Sequence, residues 1–392
     1  FKETGRFDAL RCDWREGAPN KPHIFWDSDV VKWIEGVAYL MEESPEPELE
    51  ALVDEMIDNI AQNQRSDGYF NSYFIPCEPE NIFKNRDCHE LYCAGHLIEA
   101  AVAYYESTGK DKLLKLMIEY ADLVYKIFYV EKSSVFLTPG HEEIELALVK
   151  LAQATGNKLY SEMAKKFLDV RGVTYCPEGK GVMAPTYAQQ HQPVRDQRTA
   201  EGHSVRAMYL YSGMADVVAE LGDTTLNPAL EAIWNDVMDK KIHINGGLGA
   251  VPGIEGFGPE YVLPNKDTYD ETCAAVGNVF FNYRMFLASG EAKYVDAAEV
   301  SLYNNVLAGV NIEGNKFFYV NVLEADGKKA FNHGRAGRSP WFGTACCPSN
   351  MARLIPQISY SCHSVCIYSE CHCFVSSDIK PESHIKNVTH NE

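Results

Sequence analysis

Nowhere in the 392 residues does an unbroken apolar run approach the ~18 to 20 needed to cross a bilayer, so a membrane-spanning helix is excluded. Basic charge is scarce as well. With 36 Lys+Arg against 55 Asp+Glu, the formal net charge of -19 repels phosphate backbones and anionic membrane surfaces. Nucleic acid and membrane are therefore excluded as expected partners. The C-x2-C pairs of zinc ribbons are missing although the chain has 12 cysteines, and their scatter over so long a chain argues for thiols and metal rather than a secreted disulfide framework. What is present is 46% hydrophobic residues, ample for a sizeable core. These features predict a water-soluble protein, read as cytoplasmic. The chain opens at Phe1 rather than Met, which leaves export open.

Long amphipathic stretches are broken by a recurring stop of small residues and glycine: Ser107-Thr108-Gly109, Ala154-Thr155-Gly156, Glu220-Leu221-Gly222 and Ala288-Ser289-Gly290. Glycine just past a helix tolerates the left-handed conformation that closes the last turn. The segments that follow, 111–130, 158–170, 227–242 and 291–307, resume helical periodicity, so the unit is a helical hairpin. An earlier pair, 29–43 and 47–64, adds another, and 350–358 begins a further helix. Five hairpins and part of a sixth predict a mainly α protein, a closed (α/α)6 barrel in which an inner ring of helices buries its apolar faces against an outer ring. An open solenoid fits less well, because capping repeats are not evident. The loops between hairpins are long and carry strand-like or turn-rich text, as at 245–249 and 316–323, and such loops are where sites are usually built. The barrel is expected to occupy residues 1–360. A Cys/His-containing tail, 361–392, lacks helical period and reads as a strand pair, an unstructured end or, with less support, a metal knuckle.

Polar residues recur near the beginnings of the inner helices: His89 and His96, His141 with Glu142 and Glu143, Glu201 and His203, and Glu271 with Cys273. In a ring these helix starts converge on one mouth, so the residues would share a cavity. Any one histidine alone reads equally well as a cap or core residue. Glu271, Cys273, Cys346 and Cys347 would supply zinc with one carboxylate and three thiolates, a tetrahedral set for a borderline-soft dication. A vicinal disulfide at Cys346-Cys347 or ordinary buried thiols remain the alternatives on spacing alone. Glu255, within Glu255-Gly256-Phe257-Gly258, could serve as a general acid/base if partly desolvated, or could be an exposed turn residue.

Several strings together resemble glycoside hydrolase family 127, whose characterised type is a bacterial β-L-arabinofuranosidase. They are Asp87-Cys88-His89-Glu90-Leu91-Tyr92-Cys93-Ala94-Gly95-His96, His141-Glu142-Glu143-Ile144-Glu145, Gly202-His203-Ser204-Val205-Arg206, Glu255-Gly256-Phe257-Gly258, Tyr269-Asp270-Glu271-Thr272-Cys273-Ala274 and Trp341-Phe342-Gly343-Thr344-Ala345-Cys346-Cys347-Pro348. The resemblance runs in order over residues 26–357.

It implies an (α/α)6 catalytic barrel and a retaining exo-glycosidase with Zn2+ as cofactor. Cys346 would be the nucleophile, Glu255 the acid/base, and Glu271, Cys273, Cys346 and Cys347 the zinc ligands. His96, His141 and His203 match sugar-contacting positions, and Tyr319 resembles a further pocket residue. The implied partner is an arabinose-containing oligosaccharide or glycoprotein glycan, and a homodimer is among the assemblies open to the chain. Two other readings stand beside this one: an ordinary pair of carboxylates, Glu255 with Asp270, beside a structural zinc, and a sugar-binding paralogue without catalysis. Family members continue into β-sandwich domains for which this chain shows no matching text.

Overall fold

The computed structural model describes residues 1–173 and 184–366. Six helices, designated by odd numbers, form a ring: α1 (Trp26–Glu43), α3 (Glu90–Thr108), α5 (Ile144–Thr155), α7 (Ser204–Leu221), α9 (Thr272–Ser289) and α11 (Cys346–Cys366). Each packs on the next, and α11 returns to α1 and closes the circle. The seam between α9 and α11 is the thinnest of the six joints. Outside lie α2 (Pro47–Asn63), α4 (Lys112–Tyr125), α6 (Lys158–Val170), α8 (Asn227–Asp236) and α10 (Ala292–Ser301). This is the expected (α/α)6 arrangement, with five outer helices among the described residues. No helix among them is long and apolar enough to cross a membrane.

The two rings differ in sequence because they differ in environment. Outer α6 is amphipathic, burying Tyr160, Met163, Ala164, Phe167 and Leu168 at helical spacing and leaving the other face to water. Inner α9 has an unbroken buried run from Thr272 to Asn282, since neighbours surround it. The glycine stops behave as their sequence requires: Gly109, Gly156, Gly222 and Gly290 take φ of 73, 70, 67 and 71° just after inner helices. Three outer helices end in a π-helical turn, Lys126–Val130, Val237–Lys241 and Leu302–Val306, which accounts for the full length of the periodic stretches.

Three expectations are corrected. The loop text at 245–249 and 316–323 forms only isolated bridges among the described residues, such as Ile242 with Leu248 and Val310 with Phe317, because neither segment finds a partner long enough for a ladder. The last inner helix starts at Cys346, not at residue 350, since Pro348 falls in its first turn, where the missing N–H has no helical partner to lose. It also continues through Cys366 past Pro356, into the segment read as lacking helical period. Residues 367–392 lie outside the described residues.

Inside the ring runs a chain of buried charges. Arg353 of α11 donates to Glu35 of α1 (3.0 Å), Glu99 of α3 (2.7 Å) and the hydroxyl of Tyr209 of α7 (3.0 Å), and its guanidinium lies 4.8 Å from the ring of Phe280 on α9. Lys150 of α5 reaches Glu99 at 2.5 Å. One residue thus touches four of the other inner helices directly and the fifth through Glu99. Burial opposes ionisation of Glu99, but Lys150 and Arg353 hold its carboxyl well below the usual carboxylate range. Replacing Arg353 by Met leaves Glu35 and Glu99 without this partner, and the expected loss is about 3–5 kcal/mol of stability. Urea unfolding followed by circular dichroism measures it; an unchanged midpoint would remove the network as a determinant of the ring.

Candidate functional site

At one mouth of the ring the starts of all six inner helices line a cavity of about 300 Å³. Ser28 and Asp29 come from α1, His89 from just before α3 and Tyr92 from within it, His141 and His203 from just before α5 and α7, Glu271 from just before α9 and Cys273 from within it, and Cys346 from α11. Six helix N-termini aimed at one space place six positive dipole ends around it, an environment suited to carboxylates and thiolates.

One wall is the acidic quartet. The ligand atoms of Glu271, Cys273, Cys346 and Cys347 all lie within 4.8 Å of one another. Cys273 Sγ is 3.0 Å from Cys347 Sγ, and Glu271 Oε1 is 3.6 Å from Cys347 Sγ and 3.8 Å from Cys346 Sγ. The cysteines are free thiols, which sets the vicinal disulfide aside. Glu271 is 2% exposed and its second oxygen has no hydrogen-bond partner. Four acidic groups this close cannot all ionise unaided. Hydrogen bonds from Cys273 and Cys347, acting against burial and aided by Lys32 and Tyr319, pull the Cys346 thiol well below its ordinary value. Burial pushes Cys273, Cys347 and Glu271 well above theirs. A dication would reverse this conflict, and the one-carboxylate, three-sulfur set with an orphaned buried oxygen fits zinc.

Close to the quartet, in the same cavity, stands Glu255. It follows a short turn, Pro252–Ile254, in the left-handed region at φ 51°, and its loop is pinned to the start of α7. Phe257 N–H donates to Gly202 O (2.9 Å), and Ser204 donates to Glu255 O from both its backbone and its hydroxyl (3.1 Å each). Gly256 is required here, because a Cβ would stand 1.9 Å from the Gly202 carbonyl oxygen. His203 Nδ1 accepts the Arg206 N–H at 3.3 Å, so its Nε2 carries the proton and donates to Glu255 Oε2 at 3.3 Å. Burial works to raise the Glu255 carboxyl, but hydrogen bonds from His203 and Tyr269 outweigh it and hold the group below its ordinary value. Tyr319 also lines the cavity, with its hydroxyl 3.2 Å from Cys346 Sγ.

Among the histidines the structure makes a distinction that spacing could not. His141 and His203 line the cavity. His96 does not: it is fully buried, packed edge-on behind Tyr92, with Nδ1 3.0 Å from Glu143. Its physical reason is position, since it sits about two turns into α3, below the mouth. His89, the residue just before α3, takes the place at the wall. The signal that could have selected it was present, because only a helix start faces the opening. Burial, with Arg206 nearby, pushes His89 down to about 3, and burial likewise lowers His141 and His203, so these rings are neutral hydrogen-bonding groups at pH 7. His96, Glu99 and Glu143 also form a ligand-like trio, yet Arg353 and Lys150 already neutralise Glu99 and none of the three lines the cavity. We read it as part of the ring's ion network. Asp270 is likewise absent from the cavity wall: it is buried against Asn245 and Asn305, and burial pushes it up to about 7. Arg206, Tyr187 and His333 line the cavity without having been singled out by the sequence.

In metal-free protein, iodoacetamide is expected to alkylate Cys346 before Cys12, Cys77, Cys88, Cys93, Cys273 or Cys347, because among these it alone combines cavity access with a depressed thiol. Cys77 and Cys88 are half-buried but raised, and Cys273 and Cys347 are closed to solvent. Peptide mass mapping over time reads the order, and faster labelling of Cys88 would contradict the electrostatic picture.

Residues 6–360 match the family model described as the β-L-arabinofuranosidase, GH127 catalytic domain. The chain is 37% identical over 358 residues to a non-reducing end β-L-arabinofuranosidase of Bifidobacterium longum subsp. longum, covering 86% of this chain and 54% of that protein. It superposes on a GH127 β-L-arabinofuranosidase of Geobacillus stearothermophilus T6 with a TM-score of 0.85 at 39% identity, over 91% of this chain and 59% of that one. A second solved structure, a GH127 β-arabinofuranosidase, gives a TM-score of 0.82 at 41% identity, over 92% and 56%. The chain therefore spans little more than half the length of the relatives it matches.

Proposed function

The chain belongs to the GH127 β-L-arabinofuranosidase catalytic-domain family, and on that premise we propose that it is a retaining exo-glycosidase releasing β-L-arabinofuranose from the non-reducing ends of oligosaccharides or glycoprotein glycans. Residues 1–360 form the catalytic barrel in this reading. The observation that carries it is the meeting, in one cavity, of the Cys346 thiol within the Glu271–Cys273–Cys347 cluster and a histidine-bound carboxylate at Glu255.

The roles follow from what each group can donate. Glu255, once protonated, gives its proton to the departing glycosidic oxygen while Cys346 sulfur bonds to the anomeric carbon from the other face. The carbon–oxygen bond breaks and an alcohol leaves. Glu255, again a carboxylate held by His203, then takes a proton from water, whose oxygen displaces Cys346 as thiolate and restores the original configuration. Zinc held by Glu271, Cys273, Cys346 and Cys347 would supply positive charge that keeps the sulfur deprotonated and improves it as a leaving group. Neutral His89, His141 and His203, with Tyr319, offer hydrogen bonds to sugar hydroxyls, and a ligand lacking those hydroxyls would leave buried polar atoms unpaired.

A second reading has its own support: oxygens of Glu255 and Glu271 lie within 4.8 Å of each other, close to the spacing of two-carboxylate retaining sites. It replaces Cys346 by Glu271 as nucleophile. Trapping with a sugar-mimicking epoxide and mass spectrometry separates the two, since the label falls on Cys346 in the first and on Glu271 in the second.

Cys346→Ser and Glu255→Gln are expected to fold normally and to lose activity on an aryl β-L-arabinofuranoside by about 10²–10⁴-fold or more; wild-type-like turnover by either would end the proposal. Zinc is expected at one ion per chain by elemental analysis, and in Cys347→Ser at well under that. Removal of the His203 donor by His203→Ala destabilises the Glu255 carboxylate and raises its pKa. The acid step needs the protonated form, so the alkaline limb of kcat/KM is expected to move to higher pH. An unmoved limb in a pH–rate profile would exclude Glu255 as that acid.

A further inference from the structure

The Cys273 sulfur has one partner that none of the preceding chemistry uses. Asn350, 1% exposed and one turn into α11, directs Nδ2 at Cys273 Sγ across the α9–α11 seam at 3.1 Å. The orientation of this amide is over-determined. Its Oδ1 accepts from Arg353 Nε at 2.9 Å, and a guanidinium nitrogen can only donate. It accepts also from the Tyr209 hydroxyl at 3.2 Å. That hydroxyl already accepts from Arg353 Nη2 at 3.0 Å, so its own hydrogen is free to point at Asn350. With both donors on the oxygen side, the N–H groups must face the sulfur. Arg353 is fixed in turn by Glu35 and Glu99.

We propose that Asn350 is a positioning residue for the metal centre: it donates a hydrogen bond to the Cys273 thiolate, fixes that sulfur's lone pairs and ties its position to the buried charge network of the ring. The inference rests on the reading of Glu271, Cys273, Cys346 and Cys347 as ligands. A neutral N–H donor withdraws electron density from a thiolate without competing for the metal, and such outer partners commonly govern affinity by 10–100-fold. The Cys273 sulfur thereby becomes the anchored ligand, while Cys346, which Asn350 does not hold, is the one that bonds to substrate in the proposed mechanism.

Cobalt(II) serves as the probe because its thiolate-to-metal charge-transfer band reports electron density on sulfur. Asn350→Asp keeps the side chain's shape and both acceptor contacts but removes the donor. The expected results are a shift of that band to lower energy and, in competition with a chromophoric chelator, at least about tenfold weaker zinc binding. A band and affinity equal to wild type in folded Asn350→Asp would overturn the proposal. A second measurement needs no variant: in wild-type protein loaded with NMR-active cadmium, a side-chain amide proton should show scalar coupling to the metal through the sulfur. Absence of that coupling, with cadmium bound, would also overturn it. Failure of wild-type protein to bind cobalt or cadmium at these cysteines would instead defeat the underlying ligand assignment.

Discussion

The contact on which the rest depends is the buried guanidinium of Arg353. A charge so deep in protein is tolerable only with opposite charge and geometry to match, and Glu35, Glu99 and Tyr209 supply both from three different helices. Buried ion networks add little net stability over an apolar core. What they contribute is register, because a charge displaced by even one helical turn loses its partners. In a ring of near-equivalent hairpins that is a physical need. Apolar helices can slide along one another at small cost, whereas the starts of six helices must here end at a common height for their residues to meet.

That common height creates the site. The N-terminal ends of the inner helices gather partial positive charge at one mouth, and the sequence answers with carboxylates and thiols at those same positions. The result is internally frustrated. Cys346 is drawn toward the thiolate while Cys273, Cys347 and Glu271 are driven toward their neutral forms. Function-bearing regions commonly break local rules that the remainder of a fold obeys, and this wall is such a region.

How much of this could be read in the amino-acid order depends on the range of the physics involved. The hairpin stops were legible because Gly109, Gly156, Gly222 and Gly290 have a local conformational reason to be there. The quartet was legible because a Glu-x-Cys and a Cys-Cys-Pro are rare enough to seek one another. His89 could be told from His96 only by adding that a helix start alone faces the opening, since the recurrence of polar residues near helix beginnings does not separate the two. The start of α11 was read at 350 and lies at Cys346, and in text a proline such as Pro348 marks an end as readily as a beginning. Asp270 showed its carboxyl in the sequence but not its direction, which a left-handed φ of 44° turns away toward Asn245 and Asn305. The Arg353 network was illegible altogether. Its members are separated by up to 318 residues, and nothing about an arginine in a helix announces that it will be buried.

Mechanically the ring is a belt, and its buckle is off-centre. Five joints bring long stretches of neighbouring helices together, while the sixth, between α9 and α11, is the thinnest and holds Cys273 on one side with Cys346 and Cys347 on the other. A dication held by these four groups would therefore clasp α9 to α11 where the helices touch each other least, so that one bound ion would serve the scaffold and the chemistry together.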